Sequence, residues 1–341
     1  MGKSMKLYKN TIILAIAILL VSVSNNFAQT KLAQTGMKFL SVSTDARASA
    51  MGEANTALHT NSSAMFYNPA GMANLSKNFD VSFGQTSWIA DINYMHAAAA
   101  YVPFGDLNWG VIGVSVMAVD YGDLQGTIRA SNEQGYLDVG KFSPVGFMVG
   151  IGYAKMLSEK FSIGGNIKYV KQSIGTGITG FSGEGDIAES DLSAEAAAFD
   201  FGVIYWTGYK SLNIGMSIRN FSQEIKFIDE GFQLPLTFKL GASINAVDFT
   251  DLDAEMHSFI VSVDASHPRD FKEQVFLGGE YMFMKTFSVR AGYSFPQDER
   301  GFSAGIGVQH DLAGLFLALD YAYAPFGVFD NVHRITFNLG Y

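Results

Sequence analysis

The chain has no cysteine, only 7 prolines, and charged side chains at just 16% of its 341 positions. The absence of cysteine excludes a disulfide-stapled fold and a zinc site built on thiolates. It also excludes a lipid anchored on a cysteine near the N-terminus. Ordinary soluble domains carry roughly 25% charge. The shortage here, joined to 48% apolar residues, excludes a disordered chain, which needs low hydrophobicity and high net charge. Basic residues are the scarcer sign, 23 against 32 acids, for a net charge of −9. A nucleic-acid binder needs a basic face, so no nucleic-acid partner is expected.

Signs of catalysis are also missing. The six histidines, His59, His96, His257, His267, His310 and His333, include no pair at i, i+4 and no HExxH pattern. No metal and no other cofactor is expected. Asp251-Leu252-Asp253 lacks the glycine-containing ligand loop of a calcium site. Gly150-x-Gly152 and Gly305-x-Gly307 lie inside alternating strands, not at the strand-to-helix turn of a nucleotide site. There is no GxSxG elbow. No catalytic residue is assigned and the chain is read as a non-enzyme. A Ser-His-Asp set assembled only in space, as in an outer-membrane phospholipase, stays open as an alternative.

No stretch reaches the 20 or so apolar residues of a membrane-spanning helix. The nearest is the thirteen-residue run at 11–23, preceded by Lys3, Lys6 and Lys9 and followed by Asn25-Asn26-Phe27-Ala28. A positive region, a short apolar run and a small residue form a secretory signal peptide. Residues 1–28 are assigned to it, with cleavage after Ala28; the alternative is an uncleaved anchor. Cleavage removes three lysines and no acid, leaving a net charge of −12 against −9 for the whole chain.

What the chain has in plenty is glycine (36), phenylalanine (28) and tyrosine (15), set in a period of two. Val145, Phe147, Val149, Ile151 and Tyr153 alternate with Gly146, Met148, Gly150 and Gly152. Leu236, Phe238, Leu240 and Ala242 alternate with Thr237, Lys239, Gly241 and Ser243. Successive side chains on a strand face opposite ways. One face is bulky and apolar, the other small or polar, and many segments reach the 9–11 residues of a membrane strand. A barrel in a membrane presents the apolar face to lipid and the polar face to its lumen.

The reading is an all-β fold: a transmembrane antiparallel β-barrel of about 14 strands over residues 78–341, in contact with outer-membrane lipid. Strands begin near Asn78, Ile92, Trp109, Pro144, Phe161, Ala196, Ser211, Pro235, Ser258, Glu273, Phe287, Phe302, Gly314 and His333. Tight connections at 157–160, 208–210, 285–286 and 311–313 alternate with longer polar ones at 122–142, 175–195, 222–234 and 296–301. Short periplasmic turns and long external loops form that pattern. Two connections depart from it, a long one at 246–257 and a short one at 87–91. The last strand ends on Tyr341, and pairing it with the first would close the ring. A large secreted sandwich is the alternative fold.

Residues 29–77 do not alternate and are read as an N-terminal helical hatch, or plug. Residues 44–58 are expected as a short helix capped by Thr44 or Asp45, with a small face of Ala46, Ala50, Ala54 and Ala57. Asn68-Pro69-Ala70-Gly71 is expected as a rigid corner, with Gly71 free to turn left-handed. The alternative is an extension lying outside the barrel.

Three runs carry a family resemblance: Gly36-Met37-Lys38-Phe39-Leu40, residues 45–52 (DARASAMG), and Phe66-Tyr67-Asn68-Pro69-Ala70-Gly71. Together they resemble the N-terminal signature of the PorV/PorQ family, outer-membrane barrels related to the FadL-type transporters. The resemblance implies a FadL-like barrel with an N-terminal hatch, whose motif here is Asp45, Arg47, Asn68, Pro69, Ala70 and Gly71. It further implies work with type IX secretion or surface-display machinery, with secretion components or cargo proteins as partners. The alternative is passive transport of a hydrophobic small molecule. Its pocket would be lined by Met37, Phe39, Met65, Phe66 and Tyr67, with the inward polar residues Asn166, Lys168 and Arg219.

Overall fold

The computed structural model describes residues 35–58, 61–181, 187–227, 231–297 and 301–341. The expected signal peptide, residues 1–28, and the first residues of the expected hatch lie outside this set.

Fourteen strands close into one ring. In chain order they are β1 (Phe79–Ser87), β2 (Asn93–Tyr101), β3 (Val111–Asp120), β4 (Val145–Ser158), β5 (Phe161–Phe181), β6 (Ile187–Trp206) and β7 (Asn213–Ser222). They continue as β8 (Thr237–Asn245), β9 (His257–Pro268), β10 (Gln274–Phe283), β11 (Phe287–Phe295), β12 (Phe302–Leu312), β13 (Leu315–Phe326) and β14 (Phe329–Gly340). Each pairs antiparallel with its neighbours in sequence, and β1 pairs with β14 through Val81↔Leu339 and Phe83↔Phe337. The terminal strand therefore has no free edge.

The period of two sorts the side chains by solvent. Ile151, Ile167, Leu240, Val289, Ile306 and Ile335 are exposed on the outer face, where lipid replaces water. Ser82, Ser115, Ser162, Ser217, Ser262, Ser288 and Thr336 are buried on the inner face. Exposed aromatics gather near both ends: Tyr101, Trp109, Tyr153, Tyr205 and Phe287 at the end of the short turns, Phe147, Phe221, Tyr293, Phe302 and Phe329 at the other. Their amphipathic rings suit the membrane interfaces.

Two sequence expectations need correcting. Residues 175–181 and 187–195, expected as loop, are strand; β5 runs on to Phe181 and β6 starts at Ile187, and residues 182–186 lie outside the described set. At about 3.3 Å per residue, 21- and 20-residue strands far outreach a bilayer. Beyond the lipid a strand needs no apolar face, so its period carries no hydrophobic signal. Second, the helix expected over 44–58 is only Ala46–Ala50, here α1. Asp45 does cap it, accepting from Ala48 N. The chain then turns through Gly52 and Glu53, both at positive φ. A Cβ built on Gly292 would lie 2.0 Å from Gly52 N, so the chain leaves the helix to press its backbone on the wall.

Residues 35–58 and 61–77 contact inward-facing groups around the ring. Ala46 N donates to Thr336 Oγ1 of β14 (2.9 Å), and Ser303 Oγ of β12 donates to Ala50 O (3.2 Å). Asn55 N and Thr56 N donate to Asp264 Oδ2 of β9. Asn68 Nδ2 donates to Val203 O of β6, and Ser162 Oγ of β5 donates to Ala70 O. Ser62 N donates to Asp80 Oδ1 of β1 (2.8 Å). One segment bonded to opposite sides of a closed ring must lie within it.

Candidate functional site

The site is where this inner segment meets the wall. Four charges form its buried centre. Arg47, on the first turn of α1, grips Glu280 of β10 with Nε (2.8 Å) and Nη2 (2.7 Å). Arg290 of β11 also donates to Glu280, and reaches Asp320 of β13 through Nη1 at 2.5 Å. Two cations and two anions therefore balance, with Glu280, Arg290 and Asp320 all buried. A planar guanidinium gripping a carboxylate with two donors is a strong and geometrically selective pair.

Tyr67 organises the turn before α1. Its hydroxyl accepts from Asp45 N and lies 3.0 Å from Ser43 Oγ. Burial pushes the phenol above its ordinary range, so it stays protonated. Burial also pushes the Asp45 carboxyl up, opposed by the Ala48 N–H bond.

The Asn68-Pro69-Ala70-Gly71 corner seats on glycine. Asn68 Nδ2 donates to Thr56 O (2.8 Å) and its Oδ1 accepts from Ala70 N (3.2 Å). A Cβ on Gly202 would fall 1.8 Å from Asn68 Oδ1, and one on Gly164 would fall 2.4 Å from Ala70 N. Gly71 does not turn left-handed as expected. It lies within the 3-10 stretch Pro69–Asn74, its N–H bonded to Asn68 O, and the proline sets that turn.

Two cavities flank the segment. One, of about 540 Å³, faces the end with the short turns and is lined by polar groups such as Asn55, Asn61, Asn213, Asn245 and Asn338, with Arg47 and Glu280. The other, of about 380 Å³, faces the long loops and is lined by Phe39, Trp88, Tyr94, Tyr121, Phe276 and Phe326, with Arg219 and Lys239. No described residue lines both. Trp88 centres the aromatic wall, edge-on to Phe326 at 5.2 Å and 5.3 Å from the Arg334 guanidinium.

Of the pocket residues expected from sequence, Phe39 and Arg219 line the loop-side cavity. Met37, Met65, Phe66 and Tyr67 are buried in the packing of segment on wall. Asn166 and Lys168 line neither of these two cavities. Both bind Asp200, Lys168 at 2.7 Å, and Lys168 also donates to Asn220. Arg219 Nη1 donates to Phe66 O (2.6 Å). Sequence reasoning missed Glu280, Arg290, Asp320, Trp88, Tyr94 and Phe276. A signal existed for the first three: each is a charge inside an apolar membrane strand, which is costly unless partnered.

The sequence profile of the family described as Type IX secretion system protein PorV matches residues 25–262, well over half of the chain. The chain belongs to the PorV family. A comparison with curated proteins finds no match. Among solved structures the fold is similar to the Ralstonia pickettii toluene transporter TbuX, with a TM-score of 0.59 at 13% identity over 87% of this chain and 98% of that one. The Pseudomonas putida toluene transporter TodX gives 0.57 at 12% identity, over 91% and 98%. A Pseudomonas aeruginosa FadL homologue gives 0.53 at 12%, over 87% and 97%. At such identities the likeness establishes a FadL-like barrel. Family and fold place this PorV member in the outer membrane and among non-enzymatic proteins.

Proposed function

We propose that this PorV-family chain is a plugged barrel that serves type IX secretion or surface display through its external loops. It reaches the outer membrane by a signal peptide cleaved after Ala28, and residues 29–77 act as a hatch. One observation carries the reading: the segment bonds to the wall all round, and the two cavities beside it share no lining residue. Such a lumen suits a scaffold better than an open channel. The partner surface is the loop end, where the hairpin Leu124–Arg129 with Tyr136–Phe142 exposes Leu124, Tyr136, Leu137 and Val139. Exposed apolar residues above a membrane mark a protein contact. The partners are secretion components or cargo.

A second reading is favoured by the aromatic loop-side cavity, with the size and lining of a small-molecule pocket. In that reading the chain passes a hydrophobic compound across the membrane. Purification from native outer membrane in mild detergent, with mass spectrometry of proteins and extracted small molecules, separates the two. Stoichiometric secretion components or surface proteins support the scaffold. A bound hydrophobic compound without a protein partner supports transport and removes the first reading.

A further inference from the structure

The chain enters the lumen from the loop end. Thr35 bridges Gln233, Gly36 N donates to Gln233 O (3.1 Å), and Thr35 Oγ1 donates to Asp270 Oδ2 (2.6 Å). Gln233 and Asp270 sit in the connections before β8 and after β9, both at that end. The segment leaves at the opposite end, where Lys77 donates to Asp311 Oδ2 and Gly314 O beside the β12–β13 turn. Among the described residues, the inner segment is thus held at both mouths, covalently by β1 at one and by side chains and a few backbone bonds at the other. Any opening has to start where the tie is not covalent.

That tie has one buried acid at its centre. The Asp270 side chain is 7% exposed and takes both the Thr35 hydroxyl and the Lys38 ammonium. Lys38 also lies 4.5 Å over the Phe271 ring. The same stretch lines the aromatic cavity through Lys38, Phe39, Ser41 and Val42, and Asp270 and Phe271 line it too. Met37, between Thr35 and Lys38, sits at φ 52°, a left-handed conformation that side chains with a Cβ rarely adopt. The backbone at Met37 therefore favours release, and the Asp270 contacts oppose it together with the burial of Met37, Phe39 and Leu40. We infer that residues 35–42 form a strap at the outer mouth, latched by Asp270, that lifts and widens the loop-side cavity.

The chain is free of cysteine, so a single introduced thiol reports cleanly. Ser41→Cys places one on half-buried Ser41 in the cavity lining; Val328→Cys, on the exposed β13–β14 turn at the same end, is the control. Intact cells are treated with a membrane-impermeant maleimide and the labelling rate is read. Losing a charge-assisted bond raises the lifted population by about tenfold. The strap thiol of Ser41→Cys should label slowly in the otherwise native chain. It should label about tenfold faster when Asp270→Asn or Lys38→Ala is added, while the turn thiol of Val328→Cys keeps one rate throughout. Heat-modifiable gel migration verifies that each barrel is folded; if Asp270→Asn does not fold, Lys38→Ala on the exposed side of the pair decides alone. An unchanged strap-thiol rate in folded variants overturns the latch. Labelling that appears only after permeabilisation overturns the placement of the strap at the outer mouth. Neither readout requires a ligand, so failure of the transport reading leaves this test intact.

Discussion

Arg47→Met removes one of two cations from the buried cluster of Arg47, Glu280, Arg290 and Asp320. Glu280, with its side chain 1% exposed, keeps Arg290 alone, and the cluster acquires an uncompensated negative charge. Breaking a buried pair by deleting one partner costs about 3–5 kcal/mol. Arg47 retains 28% exposure toward the turn-side cavity, and water there softens the loss to about 3 kcal/mol. At about 1.4 kcal/mol per factor of ten, that shifts the seated-to-displaced balance of α1 by roughly a hundredfold. Conductance of the purified protein in planar bilayers reads the displacement. The native chain should be silent, and Arg47→Met should show frequent openings from a barrel that still migrates as folded. The double variant Arg47→Met, Glu280→Met removes one charge of each sign and leaves Arg290 on Asp320. Replacing a buried ion pair by apolar groups of similar volume is close to neutral, so the openings should largely disappear. If the double variant conducts as much as the single one, side-chain packing and not charge seats α1, and the electrostatic account is refuted.

Three further outcomes follow from the contacts. Gly202→Val puts methyl groups where Asn68 Oδ1 lies, so the Asn-Pro corner cannot seat. Assembly of heat-modifiable barrel should drop severalfold, whereas Gly122→Val, with nothing within 4 Å of its Cβ, should move it far less despite its positive φ. His96 is buried edge-on to Phe66, and neither ring nitrogen has a hydrogen-bond partner among the described residues. His96→Phe should raise unfolding stability by about 1 kcal/mol, read as a higher denaturant midpoint; a lower midpoint removes the premise that the imidazole is unsatisfied. Replacing residues 124–142 by a short Gly-Ser linker should leave the barrel folded, because that hairpin forms a separate two-stranded sheet. Co-purifying proteins should be lost; their retention would place the partner surface elsewhere.

Some of this was legible along the chain because the environment acts on every residue alike. Lipid outside and polar packing inside impose one alternation over the bilayer, so the positions of Phe147, Ile151, Leu240 and Ile306 could be read without knowing their neighbours. The same rule failed above the bilayer, where β5 and β6 continue with no lipid to mark one face. The Asp45 cap was legible because capping spans three residues. The length of α1 was not, because it ends where Gly52 meets Gly292, a contact far along the chain. Asn166 and Lys168 looked free to line a pocket. They are occupied by Asp200, which stands directly opposite Asn166 in the β5–β6 register, and Lys168 also by Asn220, brought in at a bulge of β7.

The sequence by itself determined a β-barrel facing lipid, about fourteen strands, its closing terminal strand and the family, all properties of period, composition and local motif. Only the tertiary structure decided how the lumen is filled. Whether Arg47 is a solvated charge or one arm of a four-charge cluster depends on Glu280, Arg290 and Asp320 arriving on three different strands. Whether Lys38, Phe39, Ser41 and Val42 line an aromatic cavity depends on Asp270 and the aromatic wall residues arriving at the outer mouth from distant strands. Arg47 and Glu280 are 233 positions apart, and Lys38 and Asp270 are 232 apart. The free energy that selects such pairings comes from burial and charge balance inside a closed ring, which exists only once every strand is in register.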